Sequence, residues 1–492
     1  MGRKANPAAK GGGSKLEVAA SWCVCGRFSL LDNENDPGSR VPRLTTHHPP
    51  PIACFGTIAR LVKVGIGILG GGIVGGTLAR RLLADRATIA QKTGLDLELV
   101  KVAVRDLDRP RNFPAEYATD QLEEVVDDPR VALVVELMGG LEPAGGLVLR
   151  ALKAGKPVVT ANKELVAAKG PDLFAAAAST GVSLLFEAAV GGGIPLIRPL
   201  TESLAGEKIG RVLGIVNGTT NYILTAMDEE GTSFDHALKA AQTLGYAEAD
   251  PTADISGADA TAKAVILAGL AFGVWVGSDR VHREGIDRLD TRDLAFARQL
   301  GYVVKLLGMA DSGPAGVSVR VHPTFVPRSH PLASIRGATN AVFVEGPAIG
   351  QLLFSGPGAG GEPTATAVLG DVIDASRELL AGAQVAPRII LLADREVADF
   401  GSVSSRWYIR LEVDDSPGVL AAIAGVFGES GVSLGSVWQE GRGDQATLIL
   451  VTHDATEDSH RQAVGRLEAL AVVKQVAATI RVLGTDQPPG LL

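Results

Sequence analysis

The stretch "LVKVGIGILGGGIVGGTLARRLLADR", Leu61 to Arg86, constrains this chain more than any other. An apolar run of strand length passes directly into glycines and then into a helical pattern. Gly70, Gly72 and Gly75 stand at Gly-x-Gly-x-x-Gly spacing between the two. In that context the first glycine permits a tight turn and the second lets the backbone approach a pyrophosphate. The third lets helix pack closely on strand. Ile73 and Val74 complete the turn, and the helix start offers free N–H groups and positive potential to phosphates. The motif therefore predicts a dinucleotide site at Gly70, Gly72, Ile73, Val74 and Gly75.

The same alternation continues. "LELVKVAVRD" and "VALVVELMGG" read as strands, and "LVLRALKAGKPVVTANKELV" as helix, strand and turn. Strands alternating with helices predict an α/β fold with a Rossmann-type doubly wound parallel sheet, here over residues 61–195. A carboxylate at the end of the second strand binds a ribose 2'-hydroxyl, whereas an arginine accommodates a 2'-phosphate. "VAVRD" places Arg105 there, with Asp106 after it, which favours NADP while leaving NAD open.

Residues 196–385 mix strands such as "IGRVLGIVNG" and "VSVRVHPTFV" with longer helices, an α+β substrate and dimerisation domain. Residues 386–404 read as a linker. Residues 405–485 follow a β-α-β-β-α-β order, a ferredoxin-like module. Residues 1–60 carry Gly, Pro and Lys without apolar periodicity and read as a poorly ordered extension. Its "CVC" has no accompanying ligand cluster.

Composition excludes several functions. The net charge of -8 gives no basic field for nucleic acid or an anionic membrane. "AVILAGLAFGVWVG" is too short to span a bilayer and reads as a buried helix. Cys23, Cys25 and Cys54 are the only cysteines. A disulfide framework across the body and a catalytic thiol in it are both excluded, and a reducing cytoplasm is the expected compartment.

A second unusual segment is "GYAEADPTADISGADATAK", which sets Glu248, Asp250, Asp254 and Asp259 ahead of Lys263. Two readings compete. Ser256 to Asp259 has the S-x-x-D form of a capping box, and Asp259 and Lys263 lie i,i+4 as an ordinary helix ion pair. Alternatively, the carboxylates hold a substrate ammonium and Lys263 supplies a proton to a developing alkoxide. His322 and His330 read as structural or loop histidines.

The blocks "LMGGLEPA", "VVTANKELVA", "FEAAVGGGIPLIRPL", "VNGTTNYILT", "LGYAEADPTADISGADATAK" and "HPTFVP" occur in that order. Together they resemble homoserine dehydrogenase from about Val62 to Ile373, and the C-terminal module resembles an ACT domain. The resemblance implies reversible NAD(P)-dependent interconversion of L-aspartate 4-semialdehyde and L-homoserine. It implies Lys263 as proton donor, with Lys163 and Asp254 in the catalytic set. Glu248 and Asp259 become contacts to the substrate amine, and Tyr246, Gly218 and Thr219 line the substrate. Lys163 also lies near the nicotinamide, and Gly360 in "GPGAGGEPTA" resembles a late cofactor-contacting turn. Glu187 with the carbonyls of Val190, Gly192 and Ile194 matches a site for a monovalent cation, Na+ or K+. In "DDSPGVLAAIAG", Asp415 and Gly418 resemble the ACT effector turn, with threonine as the expected effector, in a homodimer or homotetramer. The competing readings are a catalytically idle amino-acid sensor and another semialdehyde dehydrogenase of this architecture. An acylating enzyme of that kind needs a thiol, and no cysteine follows Cys54.

Overall fold

The computed structural model describes residues 62–382, 388–392, 395–441 and 446–484. The expected extension, with its three cysteines, lies outside them. The first apolar run forms the strand Val62–Leu69, followed by the helix Ile73–Ala84 and the strand Leu95–Ala103. Six strands form a wholly parallel sheet in the order Ala118–Thr119, Leu95–Ala103, Val62–Leu69, Leu133–Glu136, Val158–Thr160, Leu184–Leu185. The sheet reverses direction of growth beside the first strand, which is where such sheets bind dinucleotides.

One helix of this layer comes from far along the chain. Gly361–Ala381 returns after the substrate domain and packs Ala365, Val368, Leu369 and Val372 into the core containing Ile66, Ile68 and Leu78. The expected boundary near residue 195 therefore does not mark where the chain leaves this layer for good. An apolar stripe along the helix, with Glu362 and Arg377 outside it, accounts for the return.

The second sheet has eleven strands. Its first part runs Gly350–Pro357, Thr339–Gly346, Arg211–Ile215, Tyr302–Gly313, Gly316–Pro327. The C-terminal module continues the same sheet with Val473–Val482, Ser404–Val413, Ala446–Thr452 and Leu434–Glu440. Those four strands alternate with the helices Val419–Glu429 and Glu457–Glu468 in the expected β-α-β-β-α-β order.

The two parts are fused more tightly than a linker implies. Thr324 and Phe325 pair in parallel with Arg481 and Val482. The stretch read as a linker packs on the sheet as well: Val317 N–H donates to Glu396, and Ala398 N–H donates to Val317. Phe400 stacks on His282 at 3.7 Å. Arg410, 2% exposed, grips Asp293 of the helix Thr291–Gln299 through Nε at 2.7 Å and Nη2 at 3.0 Å. The Tyr408 hydroxyl donates to the same carboxylate at 2.9 Å.

Removing one partner of such a pair leaves a buried charge alone, at a cost of about 3–5 kcal/mol. Asp293→Ala is therefore expected to lower unfolding free energy by that amount in urea titration. Asp290→Ala, at the half-buried start of the same helix, is the control; it removes the cap and a longer 3.7 Å contact with Arg410 and should cost about 1 kcal/mol.

Candidate functional site

The glycine turn has the geometry its spacing predicts. Gly70 takes φ +105°, and a Cβ there would lie 2.7 Å from the Leu137 carbonyl oxygen. A Cβ on Gly75 would lie 1.9 Å from the Gly70 carbonyl oxygen, so only glycine lets the helix start this close to the turn. At Gly72 nothing lies within 4 Å, leaving the open approach a pyrophosphate requires. Ile73 is 81% exposed at the mouth of this turn. Against it stands the start of the helix Gly361–Ala381: a Cβ on Gly361 would lie 3.0 Å from the Ile73 side chain. Gly360, at φ +126°, precedes it. Two helix N-termini thus converge on one opening.

Arg105 follows the strand Leu95–Ala103 and is exposed. The Asp106 carboxylate accepts the Asp108 N–H at 2.9 Å, closing its own turn. Arg111 donates to the carbonyls of Asp106, Leu107 and Arg109.

On the neighbouring strand, beside Leu69, buried Glu136 accepts the N–H groups of Met138 and Gly139, and the Thr160 hydroxyl at 2.6 Å. Asn162 caps the helix Lys163–Thr180, accepting the Leu165 N–H and donating to the Gly140 carbonyl at 2.6 Å. These bonds fix Lys163 at the first position of its helix.

Lys163 meets Asp259 at 3.2 Å through Oδ1, and Lys263 meets the other oxygen of Asp259 at 2.7 Å. Lys263 is 9% exposed, and its ammonium also donates to the Val216 carbonyl at 2.7 Å. Burial works against the charge on Asp259. The two ammoniums outweigh it and hold the carboxylate down at about 2. Burial also works against Lys163, yet Asp259 keeps it above the usual lysine value. Asp254 goes the other way. Burial raises it, with Asp259 alongside, against the hydrogen bond from Asn217.

Asn217 organises this cluster. Its Oδ1 accepts the Thr220 N–H at 2.9 Å, capping the helix Gly218–Glu230. Its Nδ2 donates to Asp254 at 2.6 Å and Asp259 at 2.9 Å. The sequence reading passed over it, although an asparagine directly before "GTTNYIL" carries an N-cap signal. Gly218 begins the helix, and Thr219 donates its hydroxyl to the Tyr246 carbonyl at 2.6 Å. The Tyr246 ring, 47% exposed, lies 5.1 Å from that of Tyr222.

Two expectations differ from the structure. Ser256 and Asp259 form no capping box: the helix Ala258–Phe272 starts from Gly257 at φ +80° with no side-chain cap. Both oxygens of Asp259 are drawn instead to the lysines and Asn217. Glu248 is not brought into the cluster; it is exposed, and its carbonyl accepts from Gln242. The histidines are structural, with His322 buried between Thr324 and the Pro323 carbonyl, and the His330 side chain capping the turn Pro331–Ser334.

At the cation candidate, the Glu187 carboxylate accepts the N–H groups of Leu196, Ile197 and Arg198. Those bonds occupy three of the roughly four acceptor positions of a carboxylate. The carbonyls of Val190, Gly192 and Ile194 are different, since none accepts a hydrogen bond among the described residues. They surround a turn with Gly191 at φ +75° and Gly192 at φ +57°. In the C-terminal module Asp415 accepts from Gln439 at 3.0 Å, and Gly418, at φ +94°, starts its helix.

Comparison with known proteins bears on all of this. Residues 195–373 match the family model "Homoserine dehydrogenase", 70–187 match "Homoserine dehydrogenase, NAD binding domain", and 407–472 match "ACT domain". A curated homoserine dehydrogenase of Corynebacterium glutamicum is 46% identical over 85% of this chain and 95% of its own length. One of Mycobacterium tuberculosis is 47% identical over 86% of this chain and 98% of its own. The crystal structure of a homoserine dehydrogenase from Thiobacillus denitrificans superimposes with TM-score 0.81 at 42% identity, covering 86% of this chain and 99% of that one. A hyperthermophilic archaeal homoserine dehydrogenase mutant in complex with NADPH gives TM-score 0.54 at 29% identity, over 66% of this chain and 100% of that one.

The sign of the pH effect at Asp259 follows from its lowered value. Its contribution to stability is complete above about pH 4, the ordinary aspartate value, and lost as pH falls toward 2. Asp259→Asn is expected to cost about 3–5 kcal/mol at pH 7 and to flatten the acid limb in urea unfolding between those values.

Proposed function

The chain belongs to the homoserine dehydrogenase family, and from that premise we propose how its residues divide the work of interconverting L-aspartate 4-semialdehyde and L-homoserine. The glycine turn fits a nicotinamide dinucleotide, which when bound supplies or accepts the hydride. The remaining chemistry belongs to side chains.

The observation that carries the proposal is the bonding of Lys263. An ammonium has three N–H donors. Two are taken, by the Val216 carbonyl and Asp259, and the third is left for a substrate oxygen. During reduction that donor stabilises the alkoxide as charge develops and then delivers the proton. Asp259 holds the group in position. Lys163 spends one donor on Asp259 and has two for the substrate carboxylate. Asp254 stands beside it as a second acceptor. Glu248, at the exposed rim, is assigned to the substrate ammonium alone, and Thr219, Gly218 and Tyr246 line the substrate.

Arg105, exposed and free of the turn that occupies Asp106, is assigned to the 2'-phosphate, making NADP the preferred cofactor. The carbonyls of Val190, Gly192 and Ile194 are assigned to a monovalent cation, with the Glu187 side chain holding the turn rather than the ion. Threonine at the Asp415–Gly418 turn, assembly as a homodimer or homotetramer, and a cytoplasmic location complete the proposal. No helix among the described residues is long and apolar enough to cross a membrane.

Oxidation of NADPH by L-aspartate 4-semialdehyde tests the core of it. Lys263→Ala is expected to lower kcat by roughly 10²–10⁴-fold with KM little changed. A KM effect alone would reduce Lys263 to a binding residue. Arg105→Ser is expected to raise KM for NADPH by about tenfold, equivalent to about 1.4 kcal/mol, and to leave NADH unaffected.

A further inference from the structure

We propose that the wedge between the strand Val473–Val482 and the segment Arg283–Leu289 is a binding site for a free α-amino acid, separate from the Asp415–Gly418 turn. The wedge exists because two strands diverge. Gly316–Pro327 pairs with Val473–Val482 only at Thr324 and Phe325. Pairing ends at Pro323, which has no N–H to offer. From there the outer edge of Val476–Ile480 has no strand partner among the described residues. The result is a cleft of about 610 Å³ with Ser256 and Pro323 in its wall. A free strand edge presents alternating N–H and C=O groups, which suit a ligand with its own backbone-like donors and acceptors.

The charges select the ligand class. Two acids of the lining are already neutralised: Glu284 is paired with Arg481, and Asp293 with Arg410. Arg283, Arg288, Asp287 and Glu468 also line the cleft, and none of the four has an ion-pair partner among the described residues. Two cations and two anions around one opening match an ammonium and a carboxylate carried together. A dianion or a polycation would meet repulsion from half of them.

The wall of the cleft touches the catalytic turn. Ile286 N–H donates to the Ile255 carbonyl at 2.9 Å, and a Cβ on Gly285 would lie 2.3 Å from that oxygen. Ile255 follows Asp254 directly. A ligand that widens or tightens the wedge therefore shifts the backbone carrying an active-site carboxylate, which supplies the differential contact that coupling between two sites requires.

Calorimetric titration of the intact chain with a panel of proteinogenic L-amino acids, excluding homoserine, tests the site independently of turnover. At least one is expected to bind saturably and to change the rate of cofactor oxidation. Arg288→Glu and Glu468→Lys, both reversals of exposed charge, should each raise its dissociation constant by about tenfold or more while basal rate is unchanged. Asp415→Ala should leave that constant as it was. No binding by any amino acid would overturn the proposal. So would binding that Asp415→Ala abolishes and the two reversals leave intact. Because calorimetry needs no turnover, an inactive chain that still binds would fail the enzymatic reading alone.

Discussion

Much of this site depends on one carboxylate with two lysines. Asp259 is nearly buried and accepts from Lys163, Lys263 and Asn217. An isolated charge in that position would be costly, and its neighbours are what make it tolerable. The dependence is mutual. Without Asp259, Lys263 would keep only the Val216 carbonyl as partner for a buried charge, which is costly. Lys263 and the carboxylate it pairs with are thus a single unit, and neither can be evaluated from its own residue type.

That unit spans three segments, so its geometry requires the segments to stay in register. Lys163 begins one helix and Lys263 lies in another. Trp275 sits between them, donating its indole N–H to the Ala167 carbonyl at 2.8 Å. Its ring occupies the space that a side chain would take at Gly170 or Gly269: added Cβ atoms would lie 2.6 and 2.3 Å from it. Two glycines inside helices are unfavourable for helix formation by roughly 1 kcal/mol each. Here they admit the large ring that holds the helices at a fixed spacing.

The cofactor turn was legible in the sequence because its constraint is local: Gly70 answers to Leu137 at the end of the adjacent strand, Gly75 to Gly70, and Gly72 leaves the approach open. The longer parallel strands and the β-α-β-β-α-β module were legible for the same reason, since period and turn chemistry declare them, whereas the two-residue strand Ala118–Thr119 is too short to show a period. Asn217 was not. Its N-cap role has a local signal, but its two bonds to Asp254 and Asp259 join residues 37 and 42 positions apart. The false capping box at Ser256 shows the converse. A local pattern was present, yet the tertiary partners of Asp259 outcompeted it. The three backbone N–H groups that Glu187 accepts, from residues nine to eleven positions on, were likewise not legible. The return of Gly361–Ala381 to the first layer was beyond any local signal, because an apolar stripe does not say which sheet it will cover.

The join between the catalytic sheet and the C-terminal module follows from the same competition between local and distant partners. Two paired residues make a narrow seam, and a seam that narrow would ordinarily allow the module to rock. Charges close it. Arg410 grips Asp293, while Arg481 is shared between Glu457 and Glu284. Buried ion pairs are poor stabilisers compared with apolar packing, since desolvation offsets most of the attraction. What these provide is orientation: a guanidinium fork meets a carboxylate in few geometries. Because Glu284 adjoins the backbone bonded to Ile255, the orientation of the module and the placement of Asp254 are set by one connected set of bonds.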